Sequence, residues 1–227
     1  MDGDSRRPGA ELPRVFLRPI GSPLPLGMIG LAGASIMLTA SQLSWLPVLQ
    51  VHAVAFVLLV FVVPLQFLAS VFGYLGRDGS AGTGMALLGA CWLVVGGLAL
   101  LSPAGSRSAT LGLLLFFASA ALLVPALASS LGKVAAAVAF FLAAARFALT
   151  GVYEFHGGVA WEHVSGWVGL AVCAVALYNA FAFELEDTRH STVLPVLRWG
   201  SGRRAMAGDM LSEVKNVENE AGVRDQL

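Results

Sequence analysis

The acidic residues of this chain are spaced in a way that a water-soluble protein could not sustain. Between Glu11 and Glu154 the sequence contains a single carboxylate, Asp78. A soluble domain must keep its outer faces hydrated, and about a quarter of its residues are ordinarily charged. A chain solvated by lipid avoids such groups, because a charge at the centre of a bilayer is costly. With 57% hydrophobic and 12% charged residues, the sequence predicts an all-α membrane protein.

Six stretches are long and apolar enough to cross a bilayer, whose core of about 30 Å requires about 20 helical residues. They cover 25–44, 48–75, 82–101, 109–129, 133–153 and 164–185. We therefore predict a six-helix transmembrane domain over residues 23–197. A cytoplasmic segment, 1–22, precedes it, and a polar cytoplasmic tail, 198–227, follows. The charged run at the end of the tail predicts a frayed amphipathic helix or a disordered segment.

The basic residues indicate how the bundle is oriented. An even number of crossings places both termini on one side, and twelve of the 14 lysine and arginine residues fall on that side. Of the other two, Arg107 lies in an opposite loop and Arg146 lies within a helix. The positive-inside rule therefore predicts that both termini are cytoplasmic, in a multi-pass protein of the plasma (inner) membrane.

Few groups with chemical reactivity lie in the predicted helices. Zero net charge argues against a strongly basic nucleic-acid-binding protein. Cys91 and Cys173 sit among apolar residues and are predicted to be buried and unreactive. All four histidines fall near helix ends, whereas a haem bound by two imidazoles would need them at matched depths. They are His52, His156, His163 and His190. No enzyme activity, metal or cofactor is predicted, and no buried acid is expected as a proton carrier.

Four residues spaced by three or four positions share one face of the first helix. They are Leu31, Ser35, Thr39 and Gln42. Hydroxyl groups in single file either line a wetted path or bond to carbonyls four residues earlier in their own helix. In the second helix, Pro64 removes a backbone hydrogen bond to the carbonyl of Val60. Gln66 follows, and its amide either lines a pore or bonds to a neighbouring helix.

Arg146 is the one basic residue predicted to lie deep in the membrane. It follows Lys133 by 13 residues, which places it about 20 Å into a core of about 30 Å. No acid lies within one helical turn of it in the sequence. Its guanidinium either snorkels to the membrane surface or faces water and anions inside the bundle.

Motifs at both ends of the predicted bundle resemble one family. The first helix opens with SPLPLGM at 22–28, the last carries GWVGL at 166–170, and TVLPV follows at 192–196. Together they resemble the acetate uptake transporter family, the succinate–acetate permeases and their fungal relatives. The positions compared are Ser22, Pro23, Pro25, Leu26, Gly27, Gln66, Tyr74, Thr83, Gly89, Trp92, His163, Gly166, Trp167, Gly169 and Tyr178. Two departures stand out: Ser22 replaces the family's asparagine, and Gly73 stands where a glutamate is common.

The resemblance implies six helices around a narrow path, assembled as a homohexamer, that passes small monocarboxylates or succinate. Matching by sequence to the family's constriction (an aromatic residue, a tyrosine and a larger aliphatic residue) gives Leu31, Leu88 and Ala143. Because these side chains lack the aromatic rings, we expect the constriction to be wider than in the family. Ala143 and Arg146 are three residues apart, so Arg146 is expected to face the same path.

Three hypotheses about function follow. The first is passive or proton-linked passage of small monocarboxylates, with acetate as the leading substrate. The second is passage of another small solute, such as ammonia or succinate. The third is a non-transporting membrane scaffold that acts through the tail from Trp199 to Leu227. The residues predicted for a path are Leu31, Ser35, Thr39, Leu88, Ala143 and Arg146. The expected partners are a small carboxylate, membrane lipid and further copies of the chain.

Overall fold

The computed structural model describes residues 21–189, 191–200 and 203. Residues 1–20 and most of the tail, including the predicted amphipathic helix, lie outside this part of the chain. Within it are six helices long and apolar enough to cross a membrane. They are α1 (Leu24–Gln42), α2 (Val48–Leu75), α3 (Gly79–Leu101), α4 (Ala109–Ser130), α5 (Val134–His156) and α6 (Val159–Arg189). The predicted all-α membrane fold with six helices is confirmed.

Helix α2 is irregular near its middle. It opens with a 3-10 turn, Val48–Gln50, and widens into a π-helical turn at Leu58–Val62 before continuing as an α-helix over Val63–Leu75. The π-helical turn ends just before Pro64. A proline has no N–H to donate and its ring crowds the carbonyl four residues earlier, so a wider turn accommodates it. The break in regular hydrogen bonding predicted at Pro64 is therefore present as a π-helical turn.

The connection between α5 and α6 is shorter than the sequence indicated. Only Gly157 and Gly158 separate the two helices, and their φ angles of 71° and 94° lie in the left-handed region that glycine adopts without strain. The predicted spans 133–153 and 164–185 leave residues 154–163 as a loop between them, and that prediction is wrong. Glu154 lies in the last turn of α5 and Glu162 in the first turn of α6, so both carboxylates are positioned by helices.

The six helices form a closed ring. Each packs against its neighbour in the sequence, and α6 packs along α1 to close the circle. We call the end of the ring where α1 begins the near end, and the end where α1 stops the far end. Loops 76–78 and 131–133 and the segment 191–200 lie at the near end. Loops 43–47, 102–108 and 157–158 lie at the far end.

Among the described residues, two ion pairs fasten the near end. Lys133 pairs with Asp78, whose carboxylate also caps α3 by accepting the N–H of Ala81 at 3.1 Å. Burial raises the pKa of Asp78, but the ammonium of Lys133 and these hydrogen bonds outweigh burial and hold the pKa below its ordinary value of 3.8. The ion pair of Asp78 therefore stabilises the fold at neutral pH, and this stabilisation is lost only as the pH falls below 3.8. The second ion pair joins Glu186 to Arg198.

The segment after α6 closes over the near end of α4 and α5. Val196 is fully buried and its carbonyl accepts the N–H of Ala135 at 3.3 Å. The indole of Trp199 donates to the carbonyl of Ser130 at 2.6 Å, and the phenol of Tyr178 donates to the carbonyl of Pro195 at 2.9 Å. The TVLPV motif therefore docks on the bundle.

Candidate functional site

A cavity of about 610 Å³ lies at the far end of the ring. All six helices and the loops 43–47 and 102–108 contribute to its lining. The residues that reach deepest into the ring are Trp92 on α3 and Arg146 and Phe147 on α5. The rings of Trp92 and Phe147 meet edge to face, with centroids 5.1 Å apart. Since α3 and α5 are not neighbours in the ring, this contact crosses its centre and forms the floor of the cavity.

Arg146 is held inside the bundle by acceptors on α1. Its side chain is only 1% exposed. One terminal nitrogen donates to the carbonyl of Ser35 at 3.1 Å, and the other donates to Oε1 of Gln42 at 3.2 Å. Both acceptors are neutral, and no carboxylate in the described part of the chain forms an ion pair with this guanidinium. Arg146 therefore points into the ring, as its spacing from Ala143 predicted, and does not snorkel to the membrane surface.

Small residues on α6 make room for this guanidinium. A Cβ added at Gly169 would lie 2.5 Å from Nη1 of Arg146 and would also overlap Oγ1 of Thr39. Such a contact is too short for a real Cβ. One turn earlier, the carbonyl of Gly166 accepts a hydrogen bond from Thr39 at 3.2 Å. The glycines of the GWVGL motif thus let α6 approach α1 and Arg146 closely.

A set of neutral hydrogen bonds fixes the residues around Arg146. The amide of Gln42 donates to Ser165 at 3.2 Å, and the hydroxyls of Ser165 and Thr150 lie 2.6 Å apart. Thr150 also bonds to the carbonyl of Arg146 at 3.0 Å. These contacts join α1, α5 and α6 on one side of the cavity, so the oxygen of Gln42 that faces the guanidinium is held in place.

The two hydroxyls predicted on the path behave differently from each other. Thr39 bonds across to α6, as described, and not to its own helix. Ser35 is fully buried, and its Oγ has no hydrogen-bond partner. Neither residue forms the bond to its own helix that was left open as an alternative. Ser35 therefore has an unpaired hydroxyl group, while its backbone carbonyl accepts a hydrogen bond from Arg146.

The three residues matched to the constriction are buried below the cavity floor. Leu31, Leu88 and Ala143 are each at most 1% exposed, and none of them lines the cavity. The wider constriction expected at these three positions is therefore not found in this cavity. Aromatic side chains occupy the axis one turn above and one turn below these three residues. Trp92 and Phe147 lie above them.

Below these three residues, Phe140 crosses the ring from α5 to α3. The side chain is fully buried, and a Cβ added at Gly84 would lie 2.5 Å from its Cε1 atom. Phe140 precedes Ala143 by three residues and Gly84 precedes Leu88 by four, so each pair shares one helix face. Sequence reasoning did not single out Phe140, although this spacing pointed to it. Phe140 therefore packs directly against the backbone of α3, one turn below the three matched residues.

Several motif positions have structural roles at helix contacts. Gln66 is buried and donates to the carbonyl of Gly27 at 2.9 Å, so its amide bonds to a neighbouring helix. A Cβ at Gly89 would lie 3.1 Å from Cβ of Gln66. Tyr74 and Thr83 share a hydrogen bond of 2.8 Å. These contacts fasten α2 to α1 and α3.

Other motif positions lie away from the cavity. Trp167 is 62% exposed on the outside of the ring. His163 is half-buried at the start of α6, and the neighbouring Glu162, not His163, lines the cavity. Pro23 stands just before α1. The remaining positions near the start of α1 are at least half-buried; they are Ser22, Pro25, Leu26 and Gly27.

One further observation corrects an expectation from the sequence, and another explains a departure from the family pattern. Glu186 is only 5% exposed, so a buried acid does exist. It is held by Arg198 and by Thr192 at the near end. At Gly73 a side chain is excluded, because an added Cβ would lie 2.7 Å from the backbone nitrogen of Gly82. A glutamate at this position would need α2 and α3 to move apart.

The described helices thus define a multi-pass membrane protein whose six helices enclose a central axis filled by side chains. In its fold the chain is similar to the bacterial acetate channel SatP, with a TM-score of 0.70. The two sequences are 23% identical, and the similarity covers 77% of this chain and 98% of the SatP chain. No protein-family model and no curated protein sequence matches the chain. The fold implied by the sequence resemblance is confirmed.

Proposed function

We propose that the chain conducts small monocarboxylates, acetate foremost, through the membrane along the axis of the ring. Support comes from the fold shared with an acetate channel and from the family motifs at both ends of the bundle. One observation carries the proposal. A buried guanidinium with neutral acceptors lies at the floor of a cavity that all six helices line.

The charge balance at Arg146 favours an anionic ligand. A guanidinium has five N–H donors, and the two hydrogen bonds described use two of its nitrogens. A buried charge without a counter-charge is destabilising by several kcal/mol. A carboxylate would supply the missing charge and accept further N–H groups in the planar geometry that suits arginine. Cations would be repelled by this site and ammonia would bring no negative charge to it, which argues against ammonia as the substrate.

Liposome flux measurements test the proposal. Purified protein would be reconstituted, and uptake of labelled acetate compared between the wild type and Arg146→Ala at equal protein incorporation. We expect uptake to fall several-fold in Arg146→Ala and to be partly retained in Arg146→Lys, since lysine keeps the charge but not the planar donors. Arg107→Gln is the matched control, because Arg107 is a far-end cation that does not line the cavity. Equal uptake by wild type and Arg146→Ala would overturn the proposal.

We further propose that the near end faces the cytoplasm of a cell bounded by the plasma (inner) membrane. The distribution of lysine and arginine supports this orientation. Both native cysteines are buried, so a single introduced cysteine can report the side. We expect Ser106→Cys, at the far end, to react with a membrane-impermeant thiol reagent added to intact cells. Ser191→Cys, at the near end, should react only after the membrane is opened; the reverse pattern would overturn the orientation. The homohexamer implied by the resemblance stays a prediction.

A further inference from the structure

Two glutamates line the cavity nearer to the far end than Arg146. Glu154 follows Arg146 by eight residues on α5, with Thr150 midway, so the three share one helix face. The rise of the helix places Glu154 about 12 Å farther toward the far end. Glu162, from the first turn of α6, lines the same cavity. We call Glu154 and Glu162 the acidic rim.

The carboxylate of Glu154 is fixed in position. It accepts the backbone N–H of Ser108 at 2.7 Å, which ties α5 to the start of α4. Arg107 interacts electrostatically with Glu154, but its side chain packs over Gly157 and does not line the cavity. Among the residues that line the cavity, the basic one is Arg146 and the acidic ones are Glu154 and Glu162. A single positive charge therefore lies below two negative charges.

A second hydrogen-bond donor belongs to a residue at the floor of the cavity. Trp92 is 1% exposed, lines the cavity, and its indole Nε1 has no hydrogen-bond partner. A buried indole N–H ordinarily has a partner, so its unpaired state indicates a place for an acceptor. Val95, Leu111 and Leu115 supply apolar lining nearby. The combination fits one carboxylate group attached to a short apolar tail.

We infer that the acidic rim restricts this site to singly charged carboxylates and rejects dicarboxylates such as succinate. This inference rests on the proposed function and specifies its substrate class. A monoanion that reaches Arg146 is neutralised there. The second carboxylate of a dianion finds no other basic residue in the cavity lining and is repelled by Glu154 and Glu162. Because Coulomb energy scales with charge, the rim also opposes the entry of a dianion twice as strongly as that of a monoanion.

The experiment compares succinate with acetate in proteoliposomes that contain full-length protein. Uptake of each labelled acid would be measured, together with inhibition of acetate uptake by external succinate. In the Glu154→Gln/Glu162→Gln double variant we expect the ratio of succinate to acetate uptake to rise several-fold and inhibition by succinate to strengthen. Glu184→Gln is the matched control, since Glu184 is an exposed acid of α6 near its other end. Glu162→Gln alone serves if the double variant fails to incorporate.

The outcomes separate this inference from the proposed function. If the wild type takes up acetate and the ratio stays unchanged in both rim variants, the rim does not select charge and the inference is wrong, while the proposed function stands. If the wild type takes up succinate as readily as acetate, the inference is also wrong. If it takes up neither acid, the proposed function and the inference fail together.

Discussion

Replacing Phe140 by leucine is expected to raise several-fold the rate at which carboxylates larger than acetate enter proteoliposomes. The ring of Phe140 crosses the bundle and meets the backbone of α3 at Gly84, so any solute moving along the axis must displace it. Leucine keeps an apolar contact but removes the rigid edge of the ring. It is preferred to alanine because emptying a buried phenylalanine site costs about 3–5 kcal/mol of stability. Uptake of labelled acetate, propionate and butyrate would be compared.

The next residue provides the control for this prediction. Phe141 has the same side chain but is 38% exposed on the outside of the helix, so Phe141→Leu should leave every rate unchanged. Leu31→Trp should act in the opposite direction, because it adds an aromatic ring at one of the three matched positions adjacent to Phe140. An unchanged preference for chain length in Phe140→Leu would show that solutes do not pass this ring, and the axial path would have to be abandoned.

The membrane fold follows from the sequence because lipid imposes a strict rule. Charged groups must be absent wherever a helix contacts the acyl chains, and the long interval with Asp78 as its one carboxylate expresses this rule directly. Helix ends beyond the apolar core obey it less strictly. For that reason the last predicted span starts only at residue 164 and leaves out Glu162 and His163, yet α6 extends past the core and begins directly after the turn at Gly157 and Gly158.

The cavity could be predicted only in part. Helical spacing from Ala143 correctly predicted that Arg146 points into the bundle, because both residues belong to one helix. Its acceptors, Ser35 and Gln42, belong to α1, and their meeting with Arg146 depends on how two separate helices rotate and pack. Sequence periodicity fixes a face within a helix but not the partner of that face.

Phe140 is a second residue whose partner on another helix could not be predicted from the sequence. In the sequence it is one of two adjacent phenylalanines, and only its spacing of three residues from Ala143 separates it from Phe141. The space for its side chain depends on Gly84 of α3, where any larger residue would overlap the aromatic ring. Trp92 and Phe147 meet across the same axis. The aromatic side chains missing from the matched constriction are therefore replaced by others one turn away on either side.

Substituting Gly169 by alanine is expected to destabilise the protein and to lower acetate uptake together. The new methyl group would lie 2.5 Å from Nη1 of Arg146 and would overlap Thr39, so the guanidinium must leave its acceptors on α1. Adding a methyl group to a tightly packed interior typically costs about 1–3 kcal/mol. We expect a lower midpoint of thermal unfolding in detergent and reduced uptake in proteoliposomes.

Two further variants identify the cause of that loss. Gly97 lies on α3 with open space around its Cβ position, so Gly97→Ala should not lower the unfolding midpoint, and the better helix propensity of alanine should raise it slightly. If the clash is with Arg146, adding Gly169→Ala to Arg146→Ala should cost much less stability than adding it to the wild type, because groups in contact show non-additive effects. Fully additive losses would mean that the small residue at 169 serves the packing of α6 against α1 and not the seat of the buried cation.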